Sequence, residues 1–171
     1  MLHFSLKLIL AKPDMEIEIK KLSSQDIKDF SELIKIFAVV FEMDNFKLPD
    51  EKYLQSLLTK PDFFSLVAKN NNTVIGGLTV YILHPYYSTK PVAYIYDVGV
   101  LPEFQRKGIG KKLIADLTDY CRENGFEEAY IEAETEDTQA LNFYRTTAYS
   151  HELQATHFTY SLTETAKSGD E

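Results

Sequence analysis

The stretch Ala93 to Ile114, AYIYDVGVLPEFQRKGIGKKLI, constrains this chain more than any other. It opens as a strand in which Tyr94, Tyr96, Val98 and Val100 alternate with Ile95, Asp97 and Gly99. Pro102 breaks the strand, because proline disfavours helix at the residue before it. Gln105-Arg106-Lys107-Gly108-Ile109-Gly110 then leads into a helix with the apolar stripe Ile109, Leu113, Ile114, Leu117 and Cys121. The first N–H groups of a helix lack partners and sit at its positive end, so such a junction suits an anion. Glycines at 108 and 110 let a phosphate approach the backbone. Arg106, Lys107, Lys111 and Lys112 add full charges in a chain of net charge −8.

The spacing is neither G-x-x-x-x-G-K-[ST] nor G-x-G-x-x-G. It is Q-x-x-G-x-G, and on it the segment resembles the acetyl-CoA-binding motif of the GNAT superfamily of N-acetyltransferases. The plain alternative is a strand-loop-helix with incidental glycines.

At 171 residues, 44% apolar and 26% charged, the sequence predicts one globular domain. An acidic chain, pI near 5.0, argues against nucleic acid and suits a cationic partner. One cysteine, Cys121, excludes an intrachain disulfide and a cysteine metal site, and fits a reducing cytoplasm. The four histidines lack ligand spacing, so no metal is expected. No run of about 20 apolar residues predicts a membrane span.

In chain order, residues 1–14 read as an extension of unknown purpose, with Met15 as an alternative start. Met15–Lys21 reads as a strand. Ser23 with Asp26 resembles a capping box ahead of a helix whose core face is Ile27, Phe30, Leu33, Ile34, Phe37, Val40 and Phe41. A shorter helix spans about Asp50–Thr59. Phe63–Lys69 and Thr73–Leu83 form a hairpin about Asn70-Asn71-Asn72, and Gly76-Gly77 suggests a bulge or a close approach. His84–Pro91 is a loop. Asn124-Gly125 ends the motif helix, Glu128–Glu134 follows as a parallel strand, and Asp137 or Thr138 caps a helix to about Arg145. His157–Leu162 reads as a last strand and 163–171 as a polar tail.

This order resembles GNAT over about residues 15–162. The resemblance implies an α/β fold with a mixed, mostly antiparallel sheet, splayed between strands 4 and 5 and flanked by helices. The aminoglycoside 3-N-acetyltransferases of the gentamicin-modifying type look most similar. Their Y-I-Y-D run, acidic run and helix Tyr have counterparts in Tyr94–Asp97, Glu134–Asp137 and Ala140–Tyr144. The family pattern has Gly four residues after that Tyr, where this chain has Ala148.

What the resemblance implies is transfer of an acetyl group from acetyl-CoA to a primary amine of a small cationic acceptor, an aminoglycoside or polyamine-like compound. The central strand would bulge beside Asp97, so that the backbone of Val98, Gly99 and Val100 holds pantetheine, with Gln105, Arg106, Lys107, Gly108, Ile109, Gly110 and Lys111 at the pyrophosphate. Asn142 would bond the CoA arm. Asp97 would bind the ammonium and take its proton, unless it is only a backbone-satisfied carboxylate. Tyr144 would protonate the leaving thiolate, unless it is only core. Glu134 and Asp137 would flank the acceptor, against plainer readings as a solvated strand residue and a helix cap. No nucleic acid or membrane partner is implied, and a homodimer is compatible. The rivals are a protein or peptide amine acetyltransferase and a noncatalytic acyl-CoA sensor.

Overall fold

The computed structural model describes residues 15–162; the expected extension 1–14 and tail 163–171 lie outside them. Ten elements follow in order: β1 Ile17–Lys21, α1 Ile27–Val40, α2 Glu51–Leu58, β2 Phe63–Asn70, β3 Thr73–Leu83, β4 Val92–Val100, a 3₁₀ turn Pro102–Phe104, α3 Ile109–Glu123, β5 Glu128–Ile131 and α4 Thr138–Tyr144. The sheet runs β1-β2-β3-β4-β5, antiparallel except for the parallel β4–β5 pair. It is the mixed α/β architecture expected. Among the described residues no helix is long and apolar enough to cross a membrane.

Helices cover both faces, because the strands alternate and each face must bury its apolar set. Phe64, Leu66, Ala68, Leu78, Val80, Ala93 and Ile95 meet Leu113, Leu117 and Cys121 of α3. On the other face, Phe63 and Val67 meet Phe30, Leu33 and Phe37 of α1 and Leu54 of α2. Burial alone pushes the Cys121 thiol up to about 11, so it is an inert core group.

Two bulges reset which residues face which layer. In β3 the pairing moves from Ala68↔Gly76 to Lys69↔Val74, leaving Ile75 as the extra residue beside Gly76. A Cβ on Gly76 would sit 2.6 Å from the Gly99 carbonyl, so bulge and close approach coincide there. In β4 the pairing moves from Val80↔Ile95 to Thr79↔Asp97, leaving Tyr96 as the extra residue. The bulge that the resemblance implies beside Asp97 is therefore present, and it breaks the plain alternation read from the residues of β4. Val98 and Val100 join Ile95 on the α3 face. Gly99 lies against Phe37 of α1, so Asp97 shares the α1 face with Tyr94 and Tyr96.

Three element boundaries differ from expectation. Helix α1 starts four residues after Ser23, with Asp26 at its N-cap, because Asp26 turns its carboxylate backwards to accept from Ser23 N at 2.8 Å and Ser23 Oγ at 2.7 Å. Strand β5 ends at Ile131, not Glu134, since its ladder with β4 stops at Ile95, where the bulge begins. His157–Leu162 joins no ladder, and its alternating Phe158, Tyr160 and Leu162 are exposed. A strand needs an edge that accepts its register, and alternation alone does not supply one.

An ion cluster ties β1 and β2 to α1. Asp29 accepts from the buried Lys69 at 2.7 Å, and Lys20 lies 2.6 Å from Asp26 and 3.7 Å from Asp29. The Lys20 hydrogen bond first, with Ser23 N, holds the Asp26 carboxyl down at about 2 from its ordinary 3.8. A depressed carboxyl contributes stability that is full above the unfolded value and lost as pH falls through the folded one. Asp26→Asn is expected to lower unfolding free energy at pH 6 by on the order of 1 kcal/mol, solvent screening keeping it small. The two proteins should converge near pH 2, and urea unfolding across that range measures it.

Candidate active site

The β4–β5 ladder joins only Val92–Ile95 to Glu128–Ile131, so Asp97–Val100, beyond the bulged Tyr96, have a sheet partner on the β3 side alone. Their other edge has no strand partner among the described residues and marks the candidate cleft. Loss of register at the bulge is the cause, because a twisted and bent strand cannot hold its parallel neighbour.

At the head of that cleft, the Gln105 side chain donates to the Val100 carbonyl at 2.9 Å. Gln105 therefore ties the loop to the strand end. Arg106 and Gly108 take left-handed backbone, φ 58° and 82°. Gly108 is the N-cap of α3, no side chain caps the helix, and a Cβ there would meet nothing within 4 Å. The amides of Ile109, Gly110 and Lys111 precede the first i→i−4 bond, which Lys112 N makes to Gly108 O at 3.0 Å. They have no intrahelical acceptor and lie at the positive end of a 15-residue helix. Among the described residues Arg106 and Lys111 form no ion pair, whereas Lys112 pairs with Asp116 at 3.4 Å. Lys107 bonds the Glu103 carbonyl at 2.6 Å over the Phe104 ring. This cradle fits an anionic phosphate group, with Lys107 turned aside.

Gly110 has a different reason to be glycine. Its built Cβ would come 2.9 Å from the Phe143 ring, so α3 and α4 meet where a side chain is missing. That contact fixes α4 across the cleft. Asp137 caps α4 by accepting from Ala140 N at 2.8 Å. Asn142 and Glu134 are exposed, and the Glu134 carbonyl closes the turn before α4 by accepting from Asp137 N.

Tyr144 and Asp97 come together. Tyr144 is half-buried, and burial first, then the charges of Asp137 and Asp97, push its phenol up to about 12. Asp97 thus lies within electrostatic reach of the hydroxyl, although β4 and α4 are far apart in sequence. Burial raises the Asp97 carboxyl above its usual value, opposed by a long 3.4 Å hydrogen bond from Thr79 Oγ1. Two protonatable groups at the mouth of one cleft, a base and an acid, can move a proton on and off a substrate. Thr79 and Phe143 escape the sequence reading. Thr79 is found only from strand register, and nothing local distinguishes Phe143 from any core aromatic.

Residues 30–149 match the model of the acetyltransferase (GNAT) family. The chain belongs to that family. This GNAT protein is therefore an acetyl-transferring enzyme. A solved structure similar to it is the aminoglycoside acetyltransferase meta-AAC0020 from an uncultured soil metagenomic sample, in complex with sisomicin. The two are 46% identical over 86% of this chain and 97% of that one, with a TM-score of 0.84. The aminoglycoside N(6')-acetyltransferase type 1 of Salmonella typhimurium is 28% identical over 57% of this chain and 76% of its own. The N-alpha-acetyltransferase RimI of Mycobacterium tuberculosis is 29% identical over 54% and 55%. The Salmonella relative's name specifies the 6'-amine, where the sequence resemblance implied the 3-amine.

The Gly110–Phe143 contact makes a separable prediction. Gly110→Ala should destabilise the protein by roughly 1–2 kcal/mol through overpacking. In a Phe143→Ala background the same change should be neutral or favourable, since Ala is the better helix former. A double-mutant cycle by urea unfolding checks it.

Proposed function

We propose that this enzyme transfers the acetyl group of acetyl-CoA to a primary amine of an aminoglycoside. The observation that carries the reading is the unpaired edge of β4 beside Asp97, with the Tyr144 phenol within electrostatic reach and the uncapped, glycine-started N-terminus of α3 at its end. The 46% identity to an enzyme with bound sisomicin supports the acceptor class.

In this reading the α3 amides 109–111, with Arg106 and Lys111, bind the CoA pyrophosphate, and the free edge of Val98–Val100 pairs with pantetheine. Holding both reactants in one cleft removes most of the entropic barrier of a bimolecular step. A backbone N–H on that edge polarises the thioester carbonyl. Asp97 binds the incoming ammonium and accepts its proton, and its raised pKa brings it nearer the value a base needs at neutral pH. The neutral amine attacks the carbonyl carbon, the attacking nitrogen loses its second proton through Asp97 to solvent, and the C–S bond breaks; the leaving thiolate is protonated, so one net proton is released. Burial and nearby carboxylates raise the Tyr144 phenol, which stays protonated and hydrogen-bonds the departing sulfur. Asn142, Glu134 and Asp137 line the outer rim, where the two carboxylates favour a polycation.

The position acetylated is set by how the acceptor lies against Asp97. The Y-I-Y-D run favours the 3-amine, and the name of the Salmonella relative favours the 6'-amine. Thiol release across aminoglycosides, polyamines and amino-terminal peptides tests the reaction, and NMR of the product decides the position. Turnover confined to peptides would replace the aminoglycoside reading with the protein-amine one. Binding of acetyl-CoA without turnover on any amine would leave a sensor.

Tyr144→Phe keeps the ring and removes the hydroxyl. Its kcat should fall by roughly 10²-fold while acetyl-CoA affinity stays near wild type. Activity within twofold of wild type would make Tyr144 a packing residue.

Asp97→Asn should lower kcat and raise KM together. The wild-type kcat/KM should fall as pH drops through the Asp97 pKa, which lies above the ordinary carboxylate value. A pH profile of both proteins checks it, the acid limb being absent from the mutant.

A further inference from the structure

Four strands contribute one continuous aromatic row to the α1 face of the sheet. Phe63 of β2 pairs with Tyr81 of β3, Tyr81 with Tyr94 of β4, and Tyr94 with Tyr130 of β5. Cross-strand partners share a face, and the rings of the first and last of these pairs are in contact. Phe63–Tyr81 centroids are 5.2 Å apart and Tyr94–Tyr130 are stacked at 5.0 Å. The bulge adds Tyr96 to the row, 5.5 Å from Tyr81 and 5.9 Å from Tyr94.

The helices cover only one end of it. Phe63 is buried against Phe30, whereas Tyr130 is 36% and Tyr96 57% exposed. Ordinary burial does not account for tyrosines left open on a sheet face beside a catalytic cleft. The row ends at Asp97, next in the chain to Tyr96.

The surroundings are anionic. The Tyr94 hydroxyl donates to Glu132 at 3.2 Å. Burial, with Glu132, pushes Tyr94 up to about 12. Burial, then Glu132 and Glu128, raises Tyr130. Burial, then Tyr96, Tyr53, Asp97 and Asp62, raises Tyr81. No cation contributes to any of the three. Negative ring faces beside carboxylates attract ammonium groups, and a flat aromatic surface suits the C–H face of a saturated ring.

We propose that Tyr81, Tyr94, Tyr96 and Tyr130 are the platform on which the non-reacting amino-sugar rings of the acceptor lie, with Glu132 fixing an ammonium group of those rings while Asp97 takes the reacting one. This rests on the aminoglycoside reading above and deepens it. A multi-ring polycation fits a row that crosses three strands, whereas a peptide amino terminus presents one charge and no second ring. Tyr96 and Tyr130 set which acceptors are held.

The test is calorimetric binding of sisomicin, in the presence of CoA, to wild type, Tyr96→Ala, Tyr96→Phe and Tyr130→Ala. The exposed positions leave the core intact, and a thermal melt within a few degrees of wild type confirms folding. Affinity should fall at least tenfold in both alanine variants and by less than threefold in Tyr96→Phe, because the ring does the binding. Alanine variants within twofold of wild type overturn the platform while the aminoglycoside reading stands. An equal loss in Tyr96→Phe and Tyr96→Ala also overturns it, by assigning the effect to the hydroxyl. Failure of sisomicin to bind wild type takes down the acceptor reading itself.

Discussion

The extra residue in β4 governs the rest of the site. Strand side chains alternate with a period of two, so one inserted residue moves everything after it to the opposite face. Before Tyr96, the α3 face receives Ala93 and Ile95; after it, Val98 and Val100. On the α1 side the same shift places Tyr94, Tyr96 and Asp97 together. A regular strand through the same sequence would turn Asp97 into the α3 core, where its charge would have no partner. The bulge also ends the parallel ladder with β5 and opens the backbone edge beside the carboxylate. One local irregularity thus both frees the edge and turns the acid onto the α1 face of the sheet.

Charge is divided to match. The positive groups of the strand-helix junction, Arg106 and Lys111, stand by the bare amides of α3, while carboxylates line the tyrosine face. A net charge of −8 is the background against which, in the proposed function, an anionic cofactor is held at one end of the cleft and a cationic acceptor at the other. The buried Lys69, far from the cleft, has Asp29 as its counter-ion. A cavity of about 300 Å³ beside it, lined by Glu16, Glu18, Asn71 and Asn72, sits at the β2–β3 turn and takes no part in this chemistry.

Much of the cleft depends on one contact between layers. Helix α4 has no fully buried residue of its own, and its position relies on the Phe143 ring filling the space that Gly110 leaves vacant. Tyr144 follows directly on the chain, so the motif glycine positions the phenol as well as the phosphate cradle. A substitution at 110 would disturb both, although neither group touches the other.

The sequence by itself determined the elements with strong periodicity: α1, α3, the β2–β3 hairpin, and the strand-loop-helix with its glycines. Their signals are local, set by side-chain spacing, turn residues and caps within a few positions. It also named Asp97 and Tyr144, through a short motif and its surroundings. Only the tertiary structure decided which face Asp97 takes, because parity along β4 depends on Thr79 and Val80 of the neighbouring strand. Only it showed that Gln105 ties the loop to Val100, that Asp137 is a cap, and that His157–Leu162 lacks a ladder despite its alternation. The aromatic row was illegible for the same reason. Phe63, Tyr81, Tyr94 and Tyr130 are scattered along the chain, and cross-strand register, a property of pairs of strands, is what lines them up.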